Sequence, residues 1–227
     1  MLRATFEREL QSLEDRIISL GSEVEENLVL SVDALIQRDL PLSQKFITAD
    51  ALVNEKRIQI GLGCLSLIAR QQPMAGDMRL IAAVIEIVGE LERIHDYIKG
   101  IGKISIMLGE RQILPGIIEP LPQMALHARD MLHRALDAFT NRDADLARGI
   151  PISDDKVDAL YNRIYREIID YVIQNPSEVE HANRLEWAVH NLERSADRVT
   201  NICEWIVYMV DGEYVELDSE MEAPPAS

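Results

Sequence analysis

Two copies of an acidic pair stand about one hundred residues apart in this chain of 227 residues. Leu91-Glu92-Arg93-Ile94-His95-Asp96 returns as Leu192-Glu193-Arg194-Ser195-Ala196-Asp197. In each copy a glutamate and an aspartate are four positions apart inside a stretch of helical periodicity. That spacing puts both carboxylates on one helix face, one turn apart. Two such charges repel by roughly a few tenths of a kcal/mol unless a cation neutralises them. A single pair reads most simply as a solvated acidic face, or as carboxylates satisfied by Arg93 or Arg194. A pair retained at matching places in two halves of a chain points to metal binding.

The duplication extends further. Val32 to Asp39 echoes Leu136 to Asp143, and Asp50 with Val53 echoes Asp154 with Val157, both at an offset of 104. Gln72-Pro73 echoes Asn175-Pro176 at 103, and the acidic phrase echoes at 101. The offset drifts by only three residues, so the length changes belong in turns. An internal repeat of this kind fixes the architecture before any single element does.

Each half reads as three helices. Phe6, Leu10, Leu13, Ile17, Leu20, Val24, Leu28, Val32 and Leu35 recur at threes and fours, an amphipathic helix of bundle type. Asp39 is placed to cap the second helix, with Pro41 in its first turn, and that helix runs to about Arg70. Pro73 opens the third, to about Leu108. Gly109 to Gly116 is a loop ending in a Pro-Gly turn. The second half repeats the plan over Pro120–Arg142, Ala144–Gln174 and Pro176–Val210. Asn175-Pro176 is a start signal, a capping residue before a proline at the first helical position, and Pro151 is placed to kink or delay the fifth helix. No segment sustains strand alternation. The expected fold is all-α, two tandem pseudo-symmetric three-helix bundles of six long antiparallel helices. Its units are residues 1–112 and 117–211, followed by an acidic disordered tail over 212–227.

Composition narrows the function. The net charge is −16, and Asp211 to Ser227 supplies six acids and no base. The rest still carries −10, which argues against nucleic acid. Apolar residues make up 47% of the chain, ample for a core. Nothing approaches about eighteen consecutive apolar residues, so no membrane insertion is expected, and no charged-then-apolar leader is read. Cys64 and Cys203 lie far apart without Cys-x-x-Cys spacing and read as buried thiols of a reducing cytoplasm.

Helix geometry says where the acids meet. Glu92 and Asp96 lie 19 and 23 residues after Pro73, and Asp50 lies 23 before it. Antiparallel helices rise equally, so Asp50 is level with Asp96, about 35 Å from the turn, and Asn54 is level with Glu92. In the second half Asp154 and Asp158 lie 22 and 18 residues before Pro176, and Glu193 and Asp197 lie 17 and 21 after it. Both halves thus bring oxygen ligands to one height on neighbouring helices; Asp33 and Asp137 read either as ordinary surface residues or as ligands joining from a third. Oxygen-rich sites without cysteine suit Mg, Mn, Ca or iron better than structural zinc. Glu92-x-x-His95 and Glu178-x-x-His181 fit the spacing of ferritin-like di-iron bundles. They fall at non-equivalent places in the two halves, His95 corresponding to Ala196. A metal-dependent or iron-handling helical-bundle enzyme is therefore the alternative reading. His127, His133 and His190 read as surface or boundary residues, and Trp187 and Trp205 as core or bundle-interface residues. No Gly-rich phosphate loop and no Ser or Cys beside a base is visible, so no catalytic residues are assigned.

Three stretches, taken together in order and spacing, carry a resemblance: Ala69-Arg70-Gln71-Gln72-Pro73-Met74-Ala75-Gly76-Asp77-Met78-Arg79, then Leu91 to Asp96, then Leu192 to Glu204. Over Phe6 to Asp211 the chain resembles the PhoU family, regulators of bacterial phosphate uptake and phosphate-starvation signalling. The family's Glu/Asp-x-x-x-Asp motif matches Glu92 with Asp96 and Glu193 with Asp197, and in some members it holds multinuclear metal clusters. The Asn that often follows the motif is matched by Asn201, but Gly100 stands at that place in the first half. The resemblance implies a non-enzymatic cytoplasmic adaptor, expected as a homodimer. It would act between the ATPase subunit of a phosphate ABC transporter and a sensor histidine kinase, restraining uptake and holding the kinase in its non-activating state when phosphate is plentiful. The implied cofactor is a divalent or iron ion (Fe, Mg, Mn or Zn).

Overall fold

The structure, a computed structural model, describes residues 2–217, with side chains from Ala4 onward. Among the described residues there is no strand, and six long helices carry the fold. The stripe from Phe6 to Leu35 is buried along the whole of α1 (Leu2–Gln37), a rod of roughly 54 Å. Each fully buried Leu, Ile or Phe of such a stripe contributes roughly 1.5–3 kcal/mol relative to leaving it in water.

The turns repeat as closely as the helices. Arg38 ends α1 in the left-handed region at φ 58°, and Asp39 then caps α2 (Leu40–Gln71), accepting a hydrogen bond from Leu42 N at 2.9 Å. One hundred and four positions on, Arg142 ends α5 (Pro120–Asn141) at φ 55°, and Asp143 caps α6 (Ala144–Gly149), accepting from Leu146 N at 2.8 Å. Each aspartate satisfies an orphan donor of the helix it starts. Between α2 and α3 (Ala75–Leu108) the chain turns at Gln72, φ 47°, and Pro73.

Three boundaries differ from the sequence expectation. The loop before α5 contains a helical turn, α4 (Pro115–Ile118). The fifth helix is not continuous from Ala144: α6 is followed by a 3₁₀ turn, Pro151–Ser153, and only then by α7 (Asp154–Gln174). Pro151 has no N–H for the ladder and its ring crowds the preceding turn, so the helix stops and restarts. The last helix likewise opens with a 3₁₀ turn, Pro176–Glu178, before α8 (Val179–Asp211). Asn175 makes no side-chain cap there; its amide donates back to Tyr171 O at 3.1 Å.

Helices α2 and α3 form one antiparallel hairpin, covered by α1; α7 and α8 form the other, covered by α5. The two bundles meet along α3 against α8 and α1 against α5, so one hydrophobic core runs through both. The α3–α8 approach is close: a Cβ on Gly100 would stand 2.6 Å from Asn191 Nδ2.

The expected disordered tail needs correction at its start. After Gly212 (φ 83°) the chain returns along α8. Tyr214 Oη donates to Glu204 Oε2 at 2.7 Å, Leu217 N donates to Glu204 Oε1 at 2.9 Å, and the Tyr214 ring lies 5.1 Å from that of Trp205. Residues 218–227 lie outside the described residues. Among the described residues no helix is long and apolar enough to cross a membrane.

Candidate metal centre

The break at Pro151 matters because it sets Asp154 at the start of α7, with Asp158 one turn on. Glu193 and Asp197 face them from α8. These four carboxylates, with Arg198, Thr200 and Asn201, line a cavity of about 320 Å³. Asp154 is 8% exposed and its Oδ1 has no hydrogen-bond partner among the described residues; the same holds for Glu193 Oε2. Burial first, then the charges of Asp158 and Asp197, push the Asp154 carboxyl up to about 7. Burial, Asp197 and Asp158 push Glu193 up to about 7, and burial with Asp197 and Asp155 raises Asp158.

Neighbouring cations do not discharge the cluster. Arg194 Nε is 3.7 Å from Asp197 Oδ2 at the edge of the cluster, and the same guanidinium is raised first by Tyr97 on α3, with which it lines a neighbouring cavity. Arg198 points its Nη1 to Glu90, 3.5 Å away. His190 Nδ1 lies 3.4 Å from Glu193 Oε2. As placed, no three His, Cys, Asp or Glu side chains among the described residues are drawn together closely enough to hold an ion. The donor set nonetheless suits a hard, oxygen-preferring cation. A dication between α7 and α8 would satisfy the orphaned oxygens and cancel the repulsion that raises these carboxyls.

In the first half the same places are filled differently. Lys99 Nζ donates to Asp50 Oδ2 at 2.7 Å and to Asp96 Oδ1 at 3.0 Å, joining α2 to α3. Burial would raise Asp50, but the hydrogen bond and charge of Lys99 outweigh it and hold this carboxyl below its ordinary value. Lys99 is in turn raised, first by Asp50. Glu92 is raised by burial and by Asp96, with Arg57 opposing. Asn54 accepts from Arg57 Nη2 at 3.5 Å. His95, which the Glu-x-x-His spacing offers as a ligand, is 0% exposed. Burial pushes its imidazole down against the pull of Asp50, whose Oδ1 is 3.7 Å from Nδ1. Neither of its nitrogens has a hydrogen-bond partner among the described residues.

Sequence reasoning therefore brought Asp50 with Asp96, and Asp154 and Asp158 with Glu193 and Asp197, to common sites but missed two residues. Lys99 was legible in principle: it follows Asp96 by three and so shares its face. Glu90, 5% exposed, gave no such signal. It accepts from Arg93 Nη1 at 2.6 Å and from Asn201 Nδ2 at 3.3 Å, and pairs with Arg198, tying α3 to α8. Arg93 thus serves Glu90, and Asn201 gives its amide N–H to Glu90 while lining the second-half cavity.

Asp137 is the ordinary surface residue that the sequence also allows, with the exposed His133 Nε2 3.7 Å away on its own helix. Two other expectations fail on geometry. The second Glu-x-x-His phrase is dispersed, Glu178 to Arg111 at 3.3 Å and His181 Nε2 to Gln112 O at 3.0 Å, so no paired di-iron ligand set forms from it. Trp187 is 60% exposed instead of core. Cys64 and Cys203 are buried free thiols, both pushed up by burial, Cys64 to about 11.

An acidic six-helix bundle built from a duplicated three-helix unit is the class that fold and clusters define. The PhoU domain model matches twice, over residues 17–105 and 121–206. The phosphate-specific transport system accessory protein PhoU homolog of Rhizobium meliloti (strain 1021) is 34% identical over 93% of this chain and 89% of its own length. Escherichia coli (strain K12) PhoU, of the same description, is 32% identical over 92% of this chain and 86% of its own. The crystal structure of Pseudomonas aeruginosa PhoU superposes with TM-score 0.86 at 32% identity, covering 92% of this chain and 100% of that one. The Streptococcus pneumoniae phosphate transport system regulatory protein PhoU gives 0.85 at 31%, covering 92% and 99%. The chain belongs to the PhoU family. These relatives are named as accessory and regulatory proteins, in keeping with a non-enzymatic chain.

Proposed function

We propose that this protein is a cytoplasmic negative regulator of phosphate uptake and phosphate-starvation signalling. It acts as an adaptor between the ATPase subunit of a phosphate ABC transporter and a sensor histidine kinase, and works as a homodimer. The observation that carries the reading is the match along nearly the whole length of relatives named as phosphate-transport accessory proteins. The metal part is carried by Asp154, whose buried carboxylate oxygen lacks a partner among the described residues and lines the four-carboxylate cavity. An Mg, Mn, Fe or Zn ion bound there by Asp154, Asp158, Glu193 and Asp197, with Asn201 beside them, would tie α7 to α8. Through Asn201 and Glu90 it would also steady the α3–α8 seam. The ion supplies charge and rigidity, not turnover.

The test is a phosphate-starvation reporter in phosphate-rich medium. Deletion of the protein should switch the reporter on. Alanine at Glu193, Asp197, Asp154 and Asp158, in a protein that still folds, should do the same if the cluster serves signalling. A reporter silent in the deletion strain, with no second family member present, removes the phosphate role.

A further inference from the structure

The two halves are not equivalent sites, and the residues that make them different can be read by the repeat itself. At the offset of 104, Asn54 stands where the second half has Asp158, and Arg57 where it has Tyr161. At the offset of 101, Lys99 stands where it has Thr200, and His95 where it has Ala196. The first-half position therefore has the carboxylates of Asp50 and Asp96 on a lysine ammonium, with Glu92 and a guanidinium near by. The second-half position has four carboxylates around a cavity, and its Tyr161 is engaged with Glu186 at 3.1 Å.

We propose that Lys99 is a covalently built-in cation that closes the first-half cluster, so that divalent metal binds in the second half only. This rests on the reading of the second-half cluster as a metal centre. The ammonium occupies the level between α2 and α3 where a dication would have to sit, 2.7 Å from one helix's carboxylate and 3.0 Å from the other's. A metal ion entering there would have to displace it and would leave its positive charge beside the ion. Asn54 adds a neutral amide where a fourth anionic ligand would be needed. Fewer anionic ligands and a resident cation both lower affinity for a dication. The second half shows the converse: Arg198 on the cavity wall faces Glu90, Arg194 approaches only Asp197, at 3.7 Å from the edge, and no ammonium stands between the two helices' carboxylates as Lys99 does.

The fold supports the substitution as a functional equivalence. Both halves need their hairpin helices joined at this height. In the first half Lys99 joins α2 to α3 without a ligand, making that hairpin independent of metal supply. In the second half the junction between α7 and α8 is left to an ion. A regulator built this way has one half whose geometry is fixed and one whose geometry follows the metal.

The experiment is Mn²⁺ titration of chelator-stripped full-length protein by calorimetry, with metal content checked by elemental analysis. The proteins are wild type, Glu193→Gln/Asp197→Asn, and that double variant carrying in addition Lys99→Thr, Lys99→Thr with Asn54→Asp, or Lys99→Arg. Circular dichroism reports folding of each. The expected result is that Glu193→Gln/Asp197→Asn loses all the Mn²⁺ that wild type binds. Lys99→Thr restores binding at least tenfold above that background, Asn54→Asp strengthens it further, and Lys99→Arg restores nothing. Mn²⁺ bound undiminished by Glu193→Gln/Asp197→Asn would overturn the inference, because the first half then binds with Lys99 in place. Failure of the folded Lys99→Thr and Lys99→Thr/Asn54→Asp proteins to gain Mn²⁺ would overturn it too. If wild type binds no Mn²⁺ at all, the metal reading of the second half fails separately. Gain or no gain on removing Lys99 then still decides for or against the lysine as the closing group.

Discussion

Asp50 and Asp154 occupy the same place in the repeat, both buried beside an acidic pair on the next helix, and their carboxyls are shifted in opposite directions. Asp50 is held below its ordinary value because Lys99 reaches it; Asp154 is pushed up to about 7 because burial and three other aspartates surround it. The backbone plan is the same to within a few residues. The difference lies in which side chain, lysine or threonine, follows the motif aspartate by three. One helical turn of sequence thus decides whether a carboxylate cluster is a closed structural joint or an open site.

The comparison can be broken most severely at the residue that belongs to both halves. Glu90→Ala leaves Arg198 and Asn201 without their shared acceptor in a nearly buried position and should destabilise the protein by about 3 kcal/mol. Chemical denaturation measures it, and loss of less than about 1 kcal/mol would show that the α3–α8 seam stands without this node.

Opposite signs are expected at the two equivalent aspartates. Asp50→Asn removes a charged hydrogen-bond partner from Lys99 and should cost about 1–2 kcal/mol in metal-free protein. Asp154→Asn relieves crowding and should stabilise metal-free protein at pH 8 by on the order of 1 kcal/mol, solvent screening discounted, while removing metal-dependent stabilisation. The pH profile carries the same sign. Asp154 and Glu193 have folded values near 7, above those of the unfolded chain, so the folded state binds more protons between about 4 and 7. Stability of the metal-free protein should therefore rise as pH falls from 8 towards 5. Thermal melts should show that rise abolished in a Glu193→Gln/Asp154→Asn protein.

The smallest effects sharpen the symmetry. Asp39→Ala and Asp143→Ala each remove one helix cap of the same geometry and should each cost about 1 kcal/mol. Unequal costs would mean that the capped segments, a long helix in one half and a six-residue one in the other, differ in what holds them.

The periodic stripe of α1, the capping aspartates and the levels of the acidic residues were all legible in the sequence, because each rests on spacing along one helix or on equal rise in a hairpin. The interruption at Pro151 was legible as a kink or delay and Pro176 as a helix start, but not that each opens with a 3₁₀ turn, since proline at a helix start and proline inside one look alike until the flanking register is set. Residues 213–217 looked like an acidic tail because composition does not reveal that Glu204, seven residues before its helix ends, accepts both Tyr214 and Leu217. Lys99 was missed as a partner because Arg93 and Arg194 stand inside the motif itself. Yet Arg93 turns to Glu90, and Arg194 reaches Asp197 only at 3.7 Å. Glu90 depends on the approach of α3 to α8 across 111 residues of sequence, which no local pattern encodes.

The most direct test of the difference between the halves is a crystal structure of the full chain grown with Mn²⁺, with anomalous scattering used to locate the metal. The account predicts anomalous density between α7 and α8, within reach of Asp154, Asp158, Glu193 and Asp197, and Lys99 still bridging Asp50 and Asp96. Density between α2 and α3 with Lys99 displaced, or a metal-free second-half cavity in protein saturated with Mn²⁺, would contradict it.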